Sequence, residues 1–196
     1  MQYRPYGRLK WQVSALGFGN LRLPVIDYND STVNEPIAIQ MIRYAIDHGV
    51  NYVDTAFDYH DGASEVAVGK ALLDGYRDQV KLATKMPTWL IKSKDDFDKY
   101  LNKQLEKLQT DHVDFYLLHT LDSKKWVNLK QHKVIDWAEK AINDGRINYI
   151  GFSFHDDLDT FKEIVDYHDW TFCQILYNYV DRDREAGAEG LRYEIP

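Results

Sequence analysis

The sequence predicts an α/β fold, a parallel (β/α)8 barrel of the TIM type in which about six of the eight strand-helix units are present. Three observations lead to this prediction. Short apolar runs alternate with longer amphipathic patterns, and polar side chains close these runs at a nearly constant spacing. The GxGxxG fingerprint of a doubly wound dinucleotide-binding sheet does not follow the first run. We therefore expect residues 1–196 to form a single, incomplete barrel domain.

Six apolar runs are the predicted strands. Each is rich in β-branched or aromatic residues and almost continuously apolar, as is typical of strands that are covered on both faces. Strands that alternate with helices pair in parallel through crossover connections. The predicted strands are residues 13–19, 51–56, 80–85, 113–119, 147–153 and 172–178.

The intervening segments carry recognisable helix ends. Pro36 suits the first turn of the first helix, which should end before Gly49 and present Ile37, Met41 and Tyr44 on one face. Ser64 is the predicted N-cap of the second helix.

Ser93 and Asp96 resemble a capping box at the start of the third helix. A fourth helix should end before Gly145. The predicted apolar positions of the third helix are Phe97, Leu101, Leu105 and Leu108.

A polar residue stands at or just beyond the carboxyl end of each of the first five predicted strands. These residues are separated by 34, 31, 34 and 34 positions, about one strand-helix unit each. In a parallel barrel all such ends open on one face, which carries the active site. The five residues are Asn20, Asp54, Lys85, His119 and Ser153.

Composition narrows the classes of function. The chain has 196 residues, a net charge of −7 and a pI of about 5.4, so an acidic surface disfavours nucleic acid as a partner. No apolar run approaches the length of a membrane span, and the first residues do not resemble a signal peptide. Cys173 is the single cysteine and is expected to be a buried free thiol. We expect a cytoplasmic protein with no membrane partner, and its oligomeric state stays open.

Four residues in order and in context resemble the aldo-keto reductase family. Asp54 and Tyr59 lie in GVNYVDTAFDYHDGASEVAVGKAL, Lys85 in KLATKMP and His119 in VDFYLLH. The resemblance implies reduction of a small-molecule carbonyl (an aldehyde or ketone) to an alcohol by an NAD(P)H-dependent oxidoreductase, with these four residues catalytic. MPTWLIKS and GFSFHDD are most similar to a microbial branch that often carries a C-terminal iron–sulfur segment, so any such cluster would lie in a segment outside this chain.

The residue types suit that chemistry. A phenol with an ordinary pKa of about 10 is a poor proton donor at neutral pH, and a neighbouring cation makes it a better one. Tyr59 is therefore the predicted general acid and Lys85 the cation, which Asp54 would orient. His119 would hydrogen-bond the substrate oxygen.

The resemblance also implies a nicotinamide cofactor, NADPH or NADH. Its predicted contacts are Gly19, Asn20, Ser153, Gln174 and Tyr177. No metal site is predicted. We expect Trp89 and Trp126 to lie in loops on the active face, either as walls of the substrate pocket or as cover for the helix layer. His60 would line the pocket or be solvated.

Two alternatives stay open. One is a nicotinamide-binding regulatory subunit of the same fold with little turnover. The other is a metal-dependent barrel hydrolase that uses His119, His155, Asp54 and His60, although Lys85 beside Asp54 would repel a cation. Because a complete barrel needs eight units, we also expect the chain to be truncated at its C-terminus, without the last two strands and the basic segment that binds the cofactor's adenosine phosphate.

Overall fold

A sheet of six parallel strands forms the centre of the computed structural model, which describes residues 1–177. The strands of the described chain are β1 (Tyr3–Pro5), β2 (Gln12–Ser14), β3 (Phe18–Gly19), β4 (Val25–Ile26), β5 (Asn29–Val33), β6 (Tyr52–Asp54), β7 (Lys81–Met86), β8 (Val113–Leu121), β9 (Ile147–Phe154) and β10 (Phe172–Gln174). The helices are α1 (Glu35–Asp47), α2 (Ala63–Ala71), α3 (Asp95–Leu108), α4 (Ser123–Gln131), α5 (Val134–Asn143) and α6 (Leu158–Tyr167).

The strand order in the large sheet is β3-β6-β7-β8-β9-β10, and every neighbouring pair is parallel. This order is the order along the chain, as in a barrel. The predicted α/β class and the six barrel strands are confirmed. Within residues 1–177, β3 pairs only with β6 and β10 only with β9.

Side chains along each strand point alternately toward the helices and toward the barrel interior, and they form one hydrophobic core on each side. On β8, Tyr116 and Leu118 face the helices and belong to the large core, whereas Phe115 and Leu117 face the barrel interior. The same alternation places Ala83 of β7 inside. Because side chains repeat their direction every second residue, Lys85 and His119 follow on the inner side at the carboxyl ends of these strands.

An N-terminal hairpin closes the other end of the barrel. β1 and β2 pair antiparallel, and their loop places Tyr6 and Trp11 against Phe115 at ring-centroid distances of 5.3 and 5.9 Å. Tyr6 also lies 6.0 Å from the ring of Phe172 in β10. These aromatic contacts fill the end at which the strands begin, so the carboxyl ends remain for the site.

Several local predictions need correction. Residues 13–19 do not form one strand: β2 belongs to the hairpin and only Phe18–Gly19 joins the sheet. The buried face of α1 carries Ala38, Ile42 and Ile46, while Ile37, Met41 and Tyr44 are exposed. The apolar residues of α1 surround most of the helix, so spacing alone did not identify the buried face.

Helix ends differ as well. Ser64 is not an N-cap, because α2 begins after Gly62, which has a left-handed φ of 89°. Asp96 accepts the backbone N–H of Ser93 at 2.9 Å, which is one half of the predicted capping box. The apolar positions predicted for α3 are all buried. Among the described residues, no helix is both long and apolar enough to span a membrane.

Candidate active site

Lys85 brings three predicted catalytic residues together at the carboxyl ends of β6 and β7. Its Nζ donates to Asp54 Oδ1 at 2.5 Å, to the carbonyl of Thr55 at 2.8 Å and to the Tyr59 hydroxyl at 3.2 Å. The Lys85 ammonium also lies 4.7 Å from the centroid of the Tyr59 ring. The three side chains, predicted from two separate motifs, therefore form one connected group.

The ion pair at the centre of this group is shielded from solvent. Lys85 is only 1% exposed, and Asp54 is buried beside it. Burial raises the pKa of the Asp54 carboxyl, and the Lys85 ammonium opposes that shift. Removing one partner of such a pair leaves an uncompensated buried charge, so each residue depends on the other for charge compensation.

A buried polar network supports the backbone of Lys85 from the helix side. The Gln104 amide nitrogen lies 3.0 Å from the Lys85 carbonyl, 3.0 Å from Thr84 Oγ1 and 2.7 Å from Glu65 Oε1. Tyr116 donates its hydroxyl proton to Gln104 Oε1 at 2.7 Å. Because all these polar groups have partners, the network fixes the end of β7 without a large desolvation cost.

Tyr59 lies in a 3₁₀ turn whose conformation is held by its neighbour His60. The backbone of His60 is left-handed, with φ 53°, and its ring is buried. Its Nε2 accepts the Leu23 N–H at 3.0 Å, and its Nδ1 lies 2.7 Å from the Asp30 carbonyl. His60 neither lines the pocket nor is solvated: it fastens the loop that contains β4 and β5 to the turn that carries Tyr59.

His119 is 6% exposed at the end of β8. The pKa of His119 is lowered to about 3, mainly by burial and in smaller part by Coulombic interaction with Lys85, His155 and Lys125. The ring is therefore neutral at physiological pH. A neutral imidazole can donate or accept a hydrogen bond, and it cannot add a second cation beside Lys85.

Two hydroxyl groups fix the backbone around His119. Thr88 donates to the His119 carbonyl at 2.6 Å, and the backbone N–H of Thr120 donates to Ser153 Oγ at 2.7 Å. Thr120 has a left-handed φ of 50°, and the register between β8 and β9 shifts at this point. Ser153, predicted to hold the cofactor, thus also holds the turn that follows His119.

Three further side chains surround the His119 ring. The Tyr59 and Trp89 rings lie 5.9 and 5.5 Å from it between centroids, and Asp58 Oδ1 lies 3.6 Å from His119 Nδ1. Trp126, in contrast, lies in α4 rather than in a loop, is fully buried and packs against Tyr167 and Trp170. Of the two predicted aromatic walls, only Trp89 reaches the site.

The predicted cofactor residues do not all lie together: Gly19 is on the edge strand β3, whereas Ser153 and Gln174 are on β9 and β10 at the opposite side of the sheet. Ser153 and Gln174 are register partners on β9 and β10, and Gly19 and Gln174 are exposed. Tyr177 is 66% exposed, and its predicted neighbour Asn178 lies outside the described residues.

Asn20 is the least exposed of these predicted residues, at 0%. Its amide nitrogen donates to the Asp54 carbonyl at 2.7 Å, whereas its Oδ1 is buried without a hydrogen-bond partner among the described residues. In this structure Asn20 therefore supports the end of β6 rather than presenting its amide at the surface.

Sequence reasoning missed three residues that build the site. Thr55 provides a carbonyl to Lys85, Thr88 anchors His119, and Ser64 Oγ bonds Thr55 Oγ1 at 2.8 Å and the Asn20 carbonyl at 3.0 Å. Thr55 adjoins Asp54, so its position in the motif was a signal. Thr88 and Ser64 act across elements, and no local pattern indicates such contacts.

No group of three or more His, Cys, Asp or Glu side chains in residues 1–177 is arranged to hold a metal ion. His60 uses both ring nitrogens for backbone contacts, and Asp54 is paired with Lys85. Two of the four metal ligands that the hydrolase alternative requires, His60 and Asp54, therefore already have other partners.

Comparison with known proteins agrees with this geometry. Residues 15–191 match the model of the Aldo/keto reductase family. The chain is 29% identical over 197 residues to probable aldo-keto reductase 1 of Glycine max, covering 96% of this chain and 55% of that protein.

Two solved structures are also similar. Aldo-keto reductase AKR11C1 from Bacillus halodurans, in its holo form, is 29% identical with a TM-score of 0.77, covering 93% of this chain and 59% of the other. An aldo-keto reductase from Klebsiella pneumoniae in complex with NADPH is 27% identical with a TM-score of 0.74, covering 94% and 59%. The chain spans little more than half the length of these relatives, and over that length it belongs to the aldo/keto reductase family.

Proposed function

We propose that this protein is a nicotinamide-dependent oxidoreductase that reduces the carbonyl group of an aldehyde or ketone to an alcohol, with Tyr59 as the general acid. The observation that carries the proposal is the position of Lys85 Nζ, which contacts Asp54 and the Tyr59 hydroxyl at the same time. A family member from Klebsiella pneumoniae that binds NADPH supports the choice of cofactor.

The proton in this reaction comes from the phenol. As the carbonyl carbon is reduced, its oxygen develops negative charge and takes the Tyr59 proton. The Lys85 ammonium, 3.2 Å from the hydroxyl oxygen, stabilises the phenolate that remains. Asp54 keeps that ammonium charged and oriented, so the cation is in place before the reaction begins.

His119 is assigned to the substrate oxygen. Its ring is neutral, and Thr88 and Ser153 fix the backbone that carries this ring at the end of β8. A preorganised donor of this kind contributes more in a site that excludes water than it would in solution.

A bound nicotinamide cofactor would supply the hydride. Two observations, one on β3 and one on β10, support the predicted contacts with its nicotinamide ring. A Cβ atom at Gly19 would meet no atom of residues 1–177 within 4 Å, so the described chain leaves open space beside this backbone. The exposed amide of Gln174, next to Ser153, can bond a carboxamide. We assign these residues and Tyr177 to the nicotinamide end, with NADPH as the preferred form.

Substitution Tyr59→Phe tests the proposal, since it removes one hydroxyl and retains the ring. Reduction of 4-nitrobenzaldehyde, followed by the loss of NADPH absorbance, should fall by about 10²–10⁴-fold. Binding of NADPH, titrated by tryptophan fluorescence, should change little. The exposed Tyr44 on α1 provides the matched control, Tyr44→Phe, which should keep the original rate.

Near-normal turnover by Tyr59→Phe would show that the phenol is not the proton donor. Tight NADPH binding by the unmodified protein without reduction of any aldehyde or ketone would instead favour the regulatory subunit.

A further inference from the structure

Asp58 places a carboxylate at the edge of the site. Its side chain is 49% exposed, directly precedes Tyr59, and lies with Oδ1 3.6 Å from Nδ1 of His119. Among residues 1–177, Asp58 accepts no hydrogen bond that would hold the carboxylate away from a ligand. The His119 Nδ1 is itself buried and has no hydrogen-bond partner in the described part of the chain. A half-exposed carboxylate therefore faces a buried imidazole nitrogen that has no hydrogen-bond partner among the described residues.

An aromatic surface contacts the same histidine. Trp89 follows β7, is 41% exposed and lies with its ring 5.5 Å from the His119 ring. A tryptophan face attracts a cation through the ring quadrupole, and it does so best among the aromatic residues. Carboxylate and indole thus both adjoin the histidine assigned to the substrate oxygen.

Nearby positive charges are compensated. The Lys85 ammonium is paired with Asp54 behind the Tyr59 hydroxyl. Lys125, on the same face, donates to the Thr120 carbonyl at 2.8 Å and to Asp122 at 2.7 Å. Among residues 1–177, Asp58 therefore offers a half-exposed negative charge to a ligand that enters beside His119.

We propose that Asp58 and Trp89 select carbonyl substrates that carry a positively charged group, such as a quaternary ammonium, near the reacting carbonyl. This inference rests on the proposed function and adds the class of substrate to it. The cation would lie against the indole face and within Coulombic reach of the carboxylate, while the carbonyl oxygen lies between Tyr59 and His119.

A pair of isosteric aldehydes isolates the charge. 4-(Trimethylammonio)benzaldehyde and 4-tert-butylbenzaldehyde share shape and differ by one charge, so we define the preference as the ratio of their kcat/KM values. Intrinsic reactivity differs between them but cancels when the same ratio is compared between protein variants. Asp58→Asn should lower the preference about fivefold, which corresponds to about 1 kcal/mol at 1.4 kcal/mol per tenfold. Trp89→Leu should lower it as well, and Trp89→Phe should lower it less.

Asp61→Asn is the matched control, because Asp61 is exposed in the same 3₁₀ turn and its substitution removes the same charge. It should leave the preference within twofold. An unchanged preference in Asp58→Asn overturns the inference and leaves the proposed function intact. Equal losses with both aldehydes also overturn it, because Asp58 would then act through His119.

If neither aldehyde is reduced, the proposed function fails. The preference for a positively charged ligand is then tested by equilibrium binding, without any reaction. Phenyltrimethylammonium, titrated against tryptophan fluorescence, should then bind about fivefold more tightly to the original protein than to Asp58→Asn. Equal affinities would refute the cation site.

Discussion

His119 should make the stability of this protein depend on pH in a defined window. Burial lowers the pKa of the folded His119 to about 3, whereas an unfolded histidine titrates near 6.5. As the pH falls below about 6.5 the unfolded chain binds a proton that the folded chain does not bind. The contribution of neutral His119 is thus complete above that pH and is lost progressively down to about pH 3.

The size of the effect follows from the two pKa values. Each pH unit below the unfolded pKa costs about 1.4 kcal/mol, so lowering the pH from 7 to 5 should remove about 2 kcal/mol of unfolding free energy. His119→Gln does not titrate and should escape this loss. The difference in unfolding free energy between the two proteins should therefore change by about 2 kcal/mol over this range.

Urea denaturation followed by tryptophan fluorescence at several pH values measures that difference. The exposed His48 provides the control, and His48→Gln should show a difference that varies by less than about 0.5 kcal/mol. If the difference in unfolding free energy between the original protein and His119→Gln also varied so little with pH, His119 would be readily protonated in the folded protein. The neutral donor assigned to it would then be wrong.

Three further predictions concern the packing around the site. Gly69→Ala should destabilise the protein by about 1–3 kcal/mol in urea denaturation, because a Cβ atom would lie 2.6 Å from the backbone of α3, and an unchanged midpoint would contradict this packing. Gln104→Leu should cost about 3 kcal/mol by leaving buried polar partners unsatisfied, whereas Gln40→Leu on the exposed side of α1 should cost less than about 0.5 kcal/mol. Lys85→Met should cost about 3–5 kcal/mol at neutral pH. Burial raises the pKa of Asp54, so the carboxyl is protonated as the pH falls and the cost of Lys85→Met in unfolding free energy should then decrease. A cost that does not change with pH would show that Asp54 is not a buried carboxylate in the folded protein.

The sequence by itself determined the architecture and the face on which the predicted catalytic residues lie. Apolar runs separated by helical segments require parallel pairing, and parallel pairing brings all strand ends to one face. Alternation within a strand then fixes which residues point inward, so Lys85 and His119 had to reach the same region once their strands were paired. Tyr59, which does not lie on a strand, was identified through the resemblance of its motif to the aldo-keto reductase family.

Only the tertiary structure decided which polar side chains support the predicted catalytic residues. Ser64, Thr88 and His60 make their contacts with residues 9 to 44 positions away, across different elements. Whether Trp126 faces the site or the helix layer, and whether Asn20 is exposed, depends on how neighbouring elements close over them.

These outcomes could not be predicted from local sequence, since hydrogen-bond partners and burial are properties of surfaces that meet only when the chain is folded. Local periodicity describes one element at a time, and it assigned the wrong face to α1 for the same reason. The arrangement of the strands follows from the pattern of residues along the chain, whereas the environment of each side chain follows from packing.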